Sequence, residues 1–392
     1  MVDYHPYSDA IKDDPYPVYR RMRDERPALY LEEYDCWFLS RFEDIWSVNS
    51  RYRALDSSRG TTPGQLLIGT EAVNPALTSM DPPAHSKYRG LISPAFKPNA
   101  VKALEPVVRE RARSLARGLR ETGGIDVVRD FAAQVAIRVV CELGGTRFED
   151  KDRMLAWSNA IMEREDGHRG ITDAGHQAAR EMFSYYFEYV KEMRAQPHRW
   201  KGLLGVLLGT DLDGGMSDAT IASYLCLALI GGTDTFPKAF ASLVCRLRES
   251  PDQRRVLAAD AAAIPDAFEE ALRHTTPTQM LGRTLAQEIE LHGETLRPGQ
   301  KVMFLFASAG RDEREFPEPD RFDIARRRER TIAFGHGPHV CLGMHTARLE
   351  ARIALEELLA VAPEYELDLA RAERLRTEFV QGFTSLPLVA RG

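Results

Sequence analysis

The sequence predicts a mainly α-helical fold with a smaller β-rich region, on three observations. Long stretches carry apolar residues at helical spacing, as in Val101, Leu104, Val108, Ala112, Leu115 and Leu119. Alternating β-type residues are confined to short stretches before residue 45 and after residue 276. The composition, 44% hydrophobic and 28% charged over 392 residues, is that of an ordinary globular chain. No repeat, low-complexity tract or linker interrupts it, so residues 1–392 are expected to form one domain.

Taken in order, a helix is expected from about Pro15 to Glu25, then a hairpin from Ala28 around Glu32-Glu33-Tyr34-Asp35, leading into a helix at Phe42. Residues 51–80 read as a long irregular loop, which is uncommon unless functional. Pro82 and Pro83 suit a helix start behind an Asp81 cap. On that helix His85 and Arg89 are four apart and share a face that suits an anionic group. Helices follow over 101–119 and 127–143, with an aromatic-rich helical region over 150–210.

Ser217 is a candidate N-cap for a helix reaching about Glu249. Its middle, Gly231-Gly232-Thr233-Asp234-Thr235-Phe236-Pro237, predicts a bend, because Pro237 cannot donate to the Thr233 carbonyl. A helix over 267–273 carries Glu270 and Arg273. Strands follow at Met280–Arg283, in a hairpin centred on His292-Gly293, and at Val302–Phe306. The last helix spans Thr346–Ala360, and β-type residues close the chain at 378–390.

The most informative stretch is Phe334-Gly335-His336-Gly337-Pro338-His339-Val340-Cys341-Leu342-Gly343. Helical periodicity begins just after it, so Cys341 lies at a helix mouth, where free N–H groups and the dipole favour a thiolate. The glycines permit close approach of the backbone to a large flat group. A thiolate so held would make an axial ligand for haem iron. Read alone, the stretch also admits an inert buried cysteine, a zinc site built from His336, His339, Cys341 and His345, or a reactive catalytic cysteine.

The pattern Phe-Gly-x-Gly-x-His-x-Cys-x-Gly resembles the haem-binding signature of the cytochrome P450 family. Asp81-Pro82-Pro83-x-His85-x-x-x-Arg89, Gly231-Gly232-Thr233-Asp234-Thr235, Glu270-x-x-Arg273 and the meander Phe316–Asp323 resemble further elements of that family, in family order. The resemblance implies the P450 fold, a triangular helical prism with haem b between the long central helix and the cysteine loop. It implies Cys341 as axial ligand, and Phe334, Gly335, His339, Gly343, His85, Arg89 and Arg283 as haem-binding residues. It also implies Asp234 and Thr235 as the proton-delivering pair. Phe236 departs from the family pattern, which places Thr or Ser there. Glu270 and Arg273, completed by Arg321, would lock the proximal core. Leu229, Gly232, Phe236, Met280 and Phe383 are expected at the substrate pocket, with loop 56–80 and residues 155–200 contributing.

The implied activity is that of a soluble, bacterial-type, class I monooxygenase. It would hydroxylate a hydrophobic small molecule with dioxygen and electrons from a ferredoxin, a reductase and NAD(P)H. A peroxide-driven peroxygenase and a non-catalytic haem sensor or carrier are the alternatives. The basic run Arg326-Arg327-Arg328-Glu329-Arg330 is either a solvated face or a docking site for an acidic donor on the proximal side.

Net charge −6 argues against nucleic-acid binding. The five scattered cysteines give no disulfide framework and fit a reducing compartment. No basic-plus-apolar leader opens the chain, and no run of about eighteen apolar residues occurs, so a cytoplasmic monomer free of membrane is expected. No Gly-x-Gly-x-x-Gly follows a strand, which leaves electron supply to another protein.

Overall fold

A computed structural model describes residues 2–70, 76–165 and 167–390. The expected α-rich architecture is present, and its strands gather into small sheets. In the five-stranded sheet the order is Ala28–Leu31, Cys36–Leu39, Lys301–Leu305, Met280–Leu285, Leu55–Asp56. The N-terminal hairpin pairs Ala28 with Leu39, and its second strand runs parallel to Lys301–Leu305. The His292-Gly293 hairpin forms as expected, with φ values of +53° and +78° at its two turn residues.

The helices build two cores. One gathers Tyr186, Met182, Leu204 and Trp157 around Leu225 and Leu229. The other joins Val108, Phe131, Phe268 and Leu355 to Phe240 and Val244. The long central helix serves both. Asp218–Thr233 enters the first core and Thr235–Glu249 the second, with a break at Asp234. Ser217 caps its start, accepting from the Thr220 N–H at 3.1 Å. The helix therefore does not end at the glycines. It is broken where Pro237 leaves the Thr233 carbonyl without its helical donor.

Residues 51–80 differ from the expectation. Pro63–Ile68 is helical, and Thr62 with Gln65 forms a reciprocal capping box. Asp81 does not cap the helix Ala84–Ile92. Its carboxylate accepts from the Ser57 N–H at 2.9 Å, so it ties the preceding loop instead. Residues 71–75 and 166, which fall in two of the expected pocket segments, lie outside the described residues.

Candidate functional site: a cysteine loop and an interrupted helix

The cysteine loop is held by its own backbone. Gly335 N–H donates to Ile332 O, and Cys341 N–H to Phe334 O, both at 2.8 Å. Gly335 and Gly337 adopt φ of +74° and +79°, which disfavours other residues, and a Cβ on Gly337 would meet Asn49 O at 3.0 Å. The Phe334 ring lies under the Arg348 guanidinium at 5.1 Å. Gly343 caps the helix Met344–Val361, and its N–H reaches the Cys341 sulfur. Cys341 is the one exposed residue among the five cysteines; crowding by surrounding protein pushes its thiol up, and that N–H, Arg89 and Arg348 act in the opposite direction, toward the thiolate.

The loop's histidines diverge. The His336 ring stacks on Trp46 at 3.6 Å and its Nε2 bonds Ser50 Oγ at 3.1 Å. The His339 ring packs against His85 at 4.1 Å. Among the described residues no three His, Cys, Asp or Glu side chains converge as a metal-ion cluster.

His85, Arg89, Arg283 and His339 instead form a cation-rich cluster. His85 is 1% exposed and both its ring nitrogens are buried without a hydrogen-bond partner. Arg89 donates to Val340 O at 2.5 Å, and Arg283 to Gly282 O at 2.6 Å. Burial, opposed by Asp81, pushes Arg283 down to about 10. Burial, reinforced by Arg283, His85 and Arg89, pushes His339 down to about 3. Such depressions mark basic groups that have lost water without a carboxylate bonded to them. Carboxylates with several oxygens would answer this donor set, so the residues fit the two propionates and iron of haem.

In the interrupted helix, Thr235 Oγ1 donates to Gly231 O at 3.2 Å. Asp234 turns to its own helix. Its Oδ1 is in contact with Lys238 Nζ, which also donates to the Asp234 carbonyl at 3.0 Å. The two side chains are 2% and 8% exposed, and Asp234 Oδ2 has no partner. Lys238 was not singled out from the sequence. The acid-then-base spacing Asp234-x-x-x-Lys238 is the signal that could have found it.

The expected pocket residues are placed differently. Leu229 is fully buried in the first core. Phe236 packs at 5.9 Å from Phe240 and 6.5 Å from Phe268, and Phe383 joins the same core. Met280 belongs to the N-terminal cluster with Tyr4 and Tyr19. Gly232 alone is partly exposed, and its bare Cα lets Val140 approach, since a Cβ would meet Val140 Cγ2 at 2.4 Å. Partly exposed apolar side chains that could wall an interior site are Ala228, Ile230, Leu342 and Phe379, all against one core.

The Glu270 network also departs from the expectation. Arg273 makes two 2.8 Å bonds to Glu270. Arg326 and Arg328 add bonds at 3.1 and 3.4 Å. Arg321 contributes only its main-chain carbonyl, to Arg273 and Arg326, while its side chain is exposed. Most of the basic run is thus structural, since Arg330 pairs with Glu43 and Glu315.

The family model for cytochrome P450 matches residues 168–370. The chain is 36% identical over 386 residues to putative cytochrome P450 123 of Mycobacterium tuberculosis, covering 98% of this chain and 96% of that one. It is 33% identical over 390 residues to the vitamin D(3) 25-hydroxylase of Pseudonocardia autotrophica, covering 97% and 95%. The crystal structure of CYP109E1 from Bacillus megaterium in complex with testosterone superposes with a TM-score of 0.88 at 26% identity, covering 98% of this chain and all of that one.

Proposed function

Since this chain belongs to the cytochrome P450 family of haem b monooxygenases, we propose that it hydroxylates a hydrophobic small molecule with electrons from a ferredoxin-type donor. The observation that carries this reading is the pairing of one chain's two half-sites. A cysteine loop lies with an unanswered cation cluster, and a helix broken at Asp234 presents a hydroxyl at Thr235.

Cys341 would hold the iron through Sγ, and His85, Arg89, Arg283 and His339 the propionates. Phe334, Gly335 and Gly343 would shape the loop beneath. When bound, haem supplies dioxygen activation and insertion of one oxygen atom. The chain's own part is to exclude water with side chains such as Ile230, Leu342 and Phe379, and to manage protons. Thr235 Oγ1, which donates to the Gly231 carbonyl, can accept a hydrogen bond on its lone pairs, and the free Asp234 Oδ2 can take up a proton. A single domain over 1–392 working as a cytoplasmic monomer completes the reading. Among the described residues one helix is apolar and long enough to cross a membrane, Asp218–Glu249, and it is 56% buried over its most apolar window. The exposed Arg327 is the member of the basic run best placed to meet an acidic donor.

The test is turnover of a ligand panel with ferredoxin, reductase and NAD(P)H, against peroxide alone. Hydroxylated product only in the first arm is expected; product only with peroxide would make the protein a peroxygenase. Thr235→Ala should cut product formation by about 100-fold, the low end of what positioned proton transfer contributes, while NAD(P)H consumption continues. Fully coupled turnover in that variant would remove Thr235 from the relay.

A further inference from the structure

Lys238 is a buried ammonium on the same helical face as Asp234, one turn on. Its ammonium closes on two acceptors of one residue, the Asp234 carboxylate and the Asp234 main-chain carbonyl. Its stem is fixed by the strand Gly382–Ser385. Gly382 has φ of +139°, and a Cβ there would come within 2.7 Å of Lys238 Cβ. So a glycine in the C-terminal strand makes room for the lysine, and the lysine makes burial of the acid tolerable. Meanwhile the second acid oxygen is left without a partner. A fully satisfied structural ion pair would not leave it so.

We propose that Lys238 is a positioning residue for Asp234. It holds the carboxylate turned to the covered face of the helix through one oxygen, with the other kept free to take up a proton. The idea rests on the reading of Asp234 as the relay acid. Gly231, where a Cβ would meet nothing within 4 Å, and Pro237, which cannot donate to the Thr233 carbonyl, loosen the turn through which that proton would pass toward Thr235.

The experiment compares wild type with Lys238→Met, Lys238→Arg, Asp234→Asn and the Lys238→Met/Asp234→Asn double variant. Infrared difference spectra are recorded on the haem-free protein, beside coupling measured on the loaded enzyme. In Lys238→Met the buried carboxylate loses its counter-charge and should take up a proton. A protonated-carboxyl stretch should therefore appear that is missing in wild type, in Lys238→Arg and in the double variant. Coupling should fall at least tenfold in Lys238→Met and recover at least in part in Lys238→Arg. The double variant should be no worse than Asp234→Asn alone. If Lys238→Met shows no such band, or if its effect multiplies with that of Asp234→Asn, Lys238 does not position the acid. If Asp234→Asn itself leaves coupling intact, the relay role of Asp234 fails, while the infrared result still decides whether Lys238 holds it. Should Lys238→Met not fold, Lys238→Gln, which keeps a donor without the charge, gives the same spectral decision.

Discussion

Glu270 is 0% exposed, yet both its oxygens are used, by Arg273, Arg326, Arg328 and the Asp323 N–H. Arg273 in turn spends its remaining donors on the carbonyls of Gly310, Pro319 and Arg321. The cluster around His85 is built the other way. Arg89 and Arg283 reach one carbonyl each, and His85 reaches nothing. Among the described residues no carboxylate hydrogen-bonds any member of this second cluster. Both have a buried centre, Glu270 with Arg273 in one and His85 with Arg283 in the other. The difference lies in whether the chain supplies the opposite charge itself. Where it does, the charges hold the meander against the helix Ile264–His274. Where it does not, the donors are left able to answer an anion from outside the chain.

The largest effect should come from breaking the balanced cluster. Glu270→Ala leaves several arginines facing one another, and is expected to cost about 3–5 kcal/mol in urea denaturation. A loss below about 1 kcal/mol would rank the network with surface pairs. Breaking the unbalanced cluster should give the opposite pattern. Arg283→Leu removes an uncompensated buried cation, so haem-free stability should hold or rise, while haem affinity falls about tenfold or more, as for loss of a charged hydrogen bond. Equal losses in both measurements would erase the distinction.

A smaller effect follows from pH. Burial, then Arg89 and Arg283, lower His85 below its ordinary 6.5, and Asp81 only partly offsets them. The unfolded chain therefore binds a proton that the folded chain refuses. Stability contributed at His85 is present above about pH 6.5 and is lost as the pH falls below it. His85→Asn should flatten that slope in the haem-free protein. Haem carboxylates should flatten it in the wild type as well, because they favour the protonated ring. An unchanged slope on haem loading would argue that the cluster does not face those carboxylates.

Much of this was readable from the chain because the governing interactions are local. The cysteine loop, the Ser217 cap, the His292-Gly293 turn and the break before Pro237 each depend on a few adjacent residues. What escaped depended on direction or distance. Asp218–Thr233 is apolar around most of its circumference, so no periodicity tells which side faces the site. Leu229 and Phe236 consequently read as pocket residues although both enter a core. The partners of Glu270 lie some fifty residues downstream, where Arg321, Arg326 and Arg328 look alike, and only the folded path of the meander selects among them. Thr62 and Gln65 are a different lesson, since their capping spacing was present in a stretch read as irregular.

The interruption at Asp234 has a consequence for cooperativity. Each half of the long helix is fastened to a separate core, and the backbone ladder between them lacks the bond that Pro237 cannot make. One secondary-structure element is thereby shared between two units of unfolding. Amide exchange should not be uniform along it: protection in Asp218–Thr233 follows the opening of the 151–208 helices, and protection in Thr235–Glu249 follows that of the other core. The joint between these two regimes is Asp234, the residue proposed to handle protons.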